Sequence, residues 1–254
     1  MSAVLAFNVK LGRICLALQH LFYPNLCALC HSRWAIPQWG YVCEDCRSKL
    51  DPLTFPFCEV CGHMGPVNLE KSISFKCSQC TLVHPGFDYA RAAVKTNSLI
   101  LEVVHKFKYS QKVYLKNFLG SLLNQAADRW IKKKDWEMII PIPLHPVHQR
   151  KRGFNQAECL ARILSKHTKI PLHLNNLQRV KNTLPQACLE RNDRLKNLKG
   201  AFNVKDKELI RGSRIILVDD ILTTGTTCDY ASRVLKKAGA DYICVLTVSR
   251  GVYH

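Results

Sequence analysis

The sequence predicts a mostly parallel α/β sheet flanked by helices, preceded by a small cysteine-rich domain. Three observations predict it. Short β-branched runs alternate with helical stretches from residue 87 onward, the pattern of strand-helix-strand units. Four Cys-x-x-Cys pairs crowd into the stretch before residue 81. Near the C-terminus, Ile215-Ile216-Leu217-Val218 reads as a strand buried on both faces and runs into two aspartates and a hydroxyl-rich turn. The expected organisation is an amphipathic helix over 1–23, a double metal ribbon over 24–86 and the α/β domain over 87–254.

In the first segment Leu11, Ile14, Leu18 and Leu21 recur at helical spacing. Lys10 and Arg13 interrupt the apolar stretch, which is not the order of a secretory signal. The reading is a helix packed on the next domain, with a membrane-surface helix as the alternative. No apolar run in the chain is long enough to span a bilayer.

Eight of the 13 cysteines form the pairs Cys27/Cys30, Cys43/Cys46, Cys58/Cys61 and Cys77/Cys80. Two knuckles separated by a dozen or so residues supply four thiolates in a tetrahedron, the donor set of structural zinc. Disulfides fit less well without an export signal, and iron–sulfur clusters use other spacings. Sequential pairing places Cys27, Cys30, Cys43 and Cys46 on one zinc and Cys58, Cys61, Cys77 and Cys80 on the other. Spacing leaves an interleaved pairing open. Residues 24–86 lack long apolar periodicity, so the ribbons are expected to fold with their metal. Cys15, Cys159, Cys188, Cys228 and Cys244 are scattered and read as small apolar residues.

The formal net charge of the chain is +18. Residues 1–86 carry seven Lys/Arg against five Asp/Glu, whereas 87–254 carry 30 against 14. The excess therefore lies in the α/β domain. Basic clusters occur at Lys132-Lys133-Lys134, at Arg150-Lys151-Arg152, and at Arg191, Arg194, Lys196 and Lys199. Such a surface suits a polyanion, nucleic acid first among them. A solvated basic face is the alternative. Phe107, Tyr109, Tyr114, Phe118, Trp130, Trp136 and Phe154 accompany the cations, the mixture that single-strand stacking platforms use. Several of these rings must instead be core.

Along the α/β domain the expected strands are 89–94, 138–140, 214–218 and 242–248, with an extended segment over 172–180. The expected helices are 99–107, 113–130, 155–167, 191–198 and 226–237. Ligands of open parallel sheets bind outside the carboxyl ends of the strands. Asp219 and Asp220 fall there, and two acceptors suit the hydroxyls of a ribose. Thr223, Thr224, Gly225, Thr226 and Thr227 follow with backbone N–H groups, hydroxyls and the positive end of a helix, a cradle for a phosphate. Helix capping alone would also explain the threonines.

This order, apolar strand, Asp-Asp, then Thr-Thr-Gly-Thr-Thr, resembles the signature of the type I phosphoribosyltransferases, which bind 5-phosphoribosyl-1-pyrophosphate (PRPP). The similarity extends over nearly the whole chain. It includes Pro141-Ile142-Pro143-Leu144-His145, Arg152-Gly153-Phe154-Asn155-Gln156, Thr183-Leu184-Pro185-Gln186, and the segment from Arg194 to Phe202 that reads Arg-Leu-Lys-Asn-Leu-Lys-Gly-Ala-Phe. A double zinc ribbon joined to these elements in this order resembles the ComF (ComFC) family of phosphoribosyltransferase-like competence proteins. One departure is Ser110, where the family tends to have Gly after Lys-Tyr.

The resemblance implies a type I phosphoribosyltransferase-like fold and a cytoplasmic protein of natural transformation. It implies handling of incoming single-stranded DNA alongside a competence helicase of the same uptake system. Carried over by position, Asp219 and Asp220 hold the ribose hydroxyls directly or through Mg²⁺, and Thr223 to Thr227 hold the 5-phosphate. Arg150, Lys151 and Arg152 are the expected pyrophosphate donors, since guanidinium matches phosphate bidentately. The segment 179–186 is expected to close over the site. No base-reading hood is evident, so the acceptor of any transfer reaction is open.

Overall fold

The computed structural model describes residues 26–65, 75–110, 112–183 and 198–251. The expected N-terminal helix, the basic helix over 191–198 (its last residue apart), Cys15, Cys188 and residues 184–186 of the expected closing segment lie outside the described residues.

Each cysteine quartet ends in a short helix, α1 (Glu44–Ser48) or α2 (Ser78–Leu82). The third cysteine stands at its N-cap and the fourth, Cys46 or Cys80, is buried within it. The α/β unit then runs β1 (Tyr89–Lys95), α3 (Ser98–Tyr109), α4 (Lys116–Trp130), β2 (Met138–Pro141), α5 (Pro146–Arg152), α6 (Gln156–Thr168), β3 (Leu177–Arg179), β4 (Phe202–Val204), β5 (Arg214–Leu222), α7 (Thr226–Lys237) and β6 (Tyr242–Arg250). Among the described residues β1, β6, β5 and β2 form one sheet in that order, every pairing parallel. Strands β3 and β4 make a separate antiparallel pair.

Local rules explain the elements that hold the site. Asn97 caps α3, its side chain accepting from the Ile100 N–H at 3.0 Å. Ile100, Val103, Val104 and Phe107 then make one buried stripe. Asn155 caps α6 in the same way, accepting from Ala157 N–H at 3.0 Å, and Ala157, Leu160, Ala161 and Leu164 face the sheet.

The two faces of the sheet have separate cores. Ile216, Val218 and Leu246 pack with Val104, Phe107, Leu119, Leu123, Leu160 and Leu164 of α3, α4 and α6. Ile215, Leu217, Ile243 and Val245 pack with Cys228, Ala231 and Leu235 of α7 and with Phe202 and Val204 of β4. The ribbons join these cores, one on each face. Cys27, Cys43 and Cys46 belong to the α3/α4 side, and Cys58, Cys61 and Cys80 to the α7 side. Both sheet edges are covered, which blocks edge-to-edge association. Residues 51–53 run beside β1, with Leu53 N–H on Ala93 O and Lys95 N–H on Asp51 O. Leu172 bridges to Ile139 beside β2.

Four differences from the sequence expectation have physical reasons. The extended segment over 172–180 is only the Leu172 bridge and the short β3. Its partner β4 carries no sequence signal of the pairing, because the two arms are far apart in sequence and no turn joins them. The helix expected over 113–130 begins with a 3₁₀ turn at Val113–Leu115 before α4 proper. Helix α5 is not among the expected helices; Pro146 at its first turn and the left-handed Gly153 after its last (φ 84°) delimit it. Finally, β5 continues past Val218 to Leu222, because its ladder with β6 persists through Asp219↔Thr247, Ile221↔Ser249 and Leu222↔Arg250.

Candidate functional site

That extension of β5 decides the geometry of the two aspartates. They lie within the strand, so by alternation they project to opposite faces. Asp219 is half-buried and sits on the α7 face, with Oδ2 at 3.9 Å from the Cys228 sulfur. Its Oδ1 accepts from Asp220 N–H at 2.9 Å. Asp220 is buried on the α3 face, with Oδ1 accepting from Ile221 N–H at 2.8 Å. Its Oδ2 is 2.5 Å from the Lys108 ammonium.

Lys108 was not among the residues expected at the site. A signal was present: it stands four residues after Val104 on the buried stripe of α3, where an apolar residue would serve the core. Burial alone would lower its pKa, but the Asp220 and Asp219 carboxylates outweigh burial and the net shift is upward. Asp219 is pushed up to about 7, first by burial and then by the neighbouring charge of Asp220, with Lys108 opposing. A carboxyl raised in this way at the ligand end of a parallel sheet is a candidate functional group.

Two arginines border this pair. Arg152, in the last turn of α5, donates to Gln156 Oε1 and lies with its guanidinium 5.0 Å over the Tyr109 ring. It is near enough to Lys108 to oppose its charge. Arg179 on β3 donates to the Thr183 hydroxyl and packs 5.7 Å from the Phe202 ring. Burial lowers its pKa while the Asp219 carboxylate works in the opposite sense. Of the three expected pyrophosphate donors, Arg152 alone comes near Lys108, the partner of Asp220. Arg150 and Lys151 are exposed on the same turn of helix.

The Arg-Gly-Phe-Asn-Gln stretch now has a structural account. Gly153 closes α5, and Phe154 packs against Phe107 at 5.1 Å. Asn155 caps α6 while its amide donates to Ile142 O at 3.0 Å. Gln156 receives Arg152. The motif thus ties the carboxyl end of β2 to the arginine near Lys108.

The threonine loop is three residues long, between Leu222 and the first residue of α7. Gly225 takes φ 77°, a left-handed conformation that glycine adopts without strain. Thr224 and Thr226 hydroxyls are 2.8 Å apart. Thr223 is exposed, and Thr224 and Thr227 are half-buried. A cavity of about 80 Å³ lies against this loop, its wall including Thr224, Gly225, Thr226, Phe87 and Arg250. Neither aspartate lines that cavity.

The loop rests on the second ribbon. Arg250, 3% exposed, donates to Leu222 O at 2.9 Å, to Thr223 O at 2.6 Å and to Gly251 O at 3.0 Å. The same guanidinium donates to Cys61 O at 2.8 Å and to the Cys61 sulfur at 3.4 Å. Gln79 of α2 donates to Thr224 O at 3.4 Å.

Both cysteine quartets fit zinc, in the sequential pairing. Within each quartet the sulfurs all lie within 4.8 Å of one another. Cys30 and Cys43 sulfurs are 3.8 Å apart, and Cys61 and Cys77 are 3.7 Å apart. A tetrahedron of Zn–S bonds near 2.3 Å has edges of about 3.8 Å. Backbone N–H groups of Leu29 and Cys43 point at the Cys27 sulfur, and that of Cys77 at Cys58, as thiolates require. Of the remaining cysteines, Cys228 and Cys244 are fully buried, as small apolar residues should be, and Cys159 is half-buried.

Residues 18–81 match the double zinc ribbon domain family, and residues 150–252 match the phosphoribosyl transferase domain family. The chain is 32% identical to competence protein F of Haemophilus influenzae, over 90% of this chain and 98% of that one. It is 29% identical to competence protein ComFC of Bacillus subtilis, over 78% of this chain and 79% of the relative. It is 26% identical to the DNA utilization protein YhgH of Escherichia coli, over 91% and 99% of the two chains. No helix among the described residues is long and apolar enough to cross a membrane.

Proposed function

The chain belongs to the ComF (ComFC) family of competence and DNA utilization proteins, and on that premise we propose that it binds PRPP and single-stranded DNA during DNA uptake in the cytoplasm. The observation that carries the PRPP reading is the pair of carboxylates at the carboxyl end of the central parallel strand, Asp220 held by Lys108 with Arg152 near that lysine, directly before a Thr-Gly-Thr helix start. Carboxylates accept from ribose hydroxyls, the loop N–H groups and α7 receive the 5-phosphate, and Lys108 and Arg152 face the diphosphate.

Magnesium enters this reading with its ligand. Lys108 already neutralises Asp220, which leaves Asp219 as the one carboxylate of the pair able to reach a metal. Mg²⁺ keeps most of its shell as phosphate oxygens and water, so a single carboxylate contact suits it. Bound there, it would neutralise diphosphate charge.

The DNA reading rests on the basic excess of the α/β domain and on its relatives being a competence protein and a DNA utilization protein. A competence helicase of the same uptake system is the protein partner in this reading. A second reading, an active phosphoribosyltransferase acting on a nucleobase-like acceptor, is favoured by one observation: the Asp219 carboxyl titrates near neutrality, as a group that handles protons should.

Thermal unfolding tests the ligand. PRPP should raise the midpoint in a concentration-dependent way, by more than ribose 5-phosphate or pyrophosphate alone. Equal midpoints with and without PRPP would reject the reading. Release of pyrophosphate with one of a panel of bases would establish the enzymatic reading, and silence across the panel would reject it.

A further inference from the structure

We propose that Tyr109 and the cations around it form the platform on which single-stranded DNA stacks, so that the strand passes over the mouth of the carboxylate site. The proposal rests on the DNA-binding reading above and assigns it a surface.

Tyr109 is the last residue of α3 and is 60% exposed. Its neighbour Lys108 holds Asp220, so one residue separates this ring from the carboxylate pair. The Arg152 guanidinium lies over the Tyr109 ring at 5.0 Å and reaches the phenol oxygen at 3.4 Å. The His105 ring is 5.0 Å away, one turn back along the helix. A tyrosine held by a cation and a second ring, yet mostly solvent-facing, is fixed in position with area left for a base.

The chain segments on either side of it are basic, although Lys108 is paired with Asp220. Residues 103–127 contain Lys106, Lys108, Lys112 and Lys116 and no Asp or Glu. Residues 138–157 contain Arg150, Lys151 and Arg152 and again no acid. Lys106 has an acidic partner, Glu102, at 2.6 Å, while Arg150 and Lys151 are exposed. A second cluster of rings and cations, Tyr89, Trp136 and Tyr242 with Arg214 and Lys236, lies at the amino ends of the strands. It suits a strand poorly. Trp136 is buried, Lys236 is paired with Asp88 at 2.8 Å, and Glu137 accepts from Arg214 N–H. Aromatic stacking next to unopposed cations recognises any sequence of bases along a phosphate backbone, which is what a protein that receives incoming DNA needs.

The test is fluorescence anisotropy of a labelled thymidine oligomer on the full-length, zinc-loaded protein, titrated with salt. Tyr109→Ala should weaken binding about tenfold, the scale of one lost base stack. Tyr109→Phe should bind as the parent does. The salt slope of Tyr109→Ala should equal that of the parent, whereas Arg150→Gln with Lys151→Gln should lower it by about one to two. Tyr109→Ala binding as tightly as the parent overturns the proposal, and so does Tyr109→Phe behaving like Tyr109→Ala. Parent protein that fails to bind at low salt overturns the DNA reading itself, a different result from either.

Discussion

The ammonium of Lys108 stands 2.5 Å from Oδ2 of Asp220, an ion pair on the α3 face at the end of β5. Lys108 supplies the counter-charge to a buried carboxylate beside Asp219. Removing one member of such a pair leaves the other unpaired. Lys108→Met should therefore destabilise the protein by roughly 3–5 kcal/mol in denaturant titrations. Lys108→Met combined with Asp220→Asn should recover most of that loss, because neither charge then remains. A double variant as unstable as the single one would show that Lys108 acts through packing alone.

Asp219 gives the site a pH dependence whose sign is fixed. Its carboxyl pKa in the folded protein is raised from 3.8 to about 7. Between those values the folded state binds more protons than the unfolded chain. The stability contributed by the protonated form is present below about 4 and is lost as pH rises through about 7. Asp219→Asn should flatten that part of the profile and raise the midpoint at pH 8, by on the order of 1–3 kcal/mol in stability. PRPP affinity should change the other way, rising from pH 6 to pH 8 in the parent as the carboxylate forms. A pH-independent affinity would remove Asp219 from the ribose contact.

Arg250 makes the second zinc site part of the threonine loop. Its fork spans Cys61 O, Leu222 O and Thr223 O. Arg250→Gln should cost roughly 2–4 kcal/mol, since several buried acceptors lose a charged donor. It should also weaken PRPP binding. Cys77→Ser, in the quartet that touches Arg250, should lose one of two zinc ions and weaken PRPP binding severalfold. Cys30→Ser, in the quartet packed against α3 and α4, should also lose one zinc but leave PRPP affinity closer to the parent. Metal content by atomic emission, with calorimetry on each variant, separates the two. Equal effects from both quartets would show that zinc serves stability alone.

Much of this was legible in the sequence, and the parts that were not share a cause. The zinc quartets could be read because their geometry is local: Cys-x-x-Cys knuckles bring two sulfurs together without help from the rest of the fold. The helices expected over 99–107 and 155–167 were legible too, although the buried stripe of the first runs through Ile100, Val103, Val104 and Phe107 and leaves Leu101 exposed. The Thr-Gly-Thr loop was visible as a strand-turn-helix junction. Lys108 and Arg250 were not expected at the site, because each reaches it across the fold, from α3 and the end of β6, and Arg179, expected as part of the closing segment 179–186, stands at the end of β3. The Arg150-Lys151-Arg152 cluster was visible as charge. Which of the three comes near Lys108 depends on the rotation of α5, and a tripeptide does not specify that. Strand β5 ended too early in the sequence reading because two acids in a row look like a strand terminus. The ladder with β6 and the Lys108 partner allow the strand to continue through them.

The most direct measurement is isothermal titration of PRPP, with Mg²⁺, into the parent protein and into Asp219→Asn and Thr224→Ala variants. Saturable binding at one site per chain is the expected result, weakened at least tenfold in both variants. No heat of binding in the parent, or undiminished affinity in both variants, would contradict the assignment of the β5 end as the sugar-phosphate site.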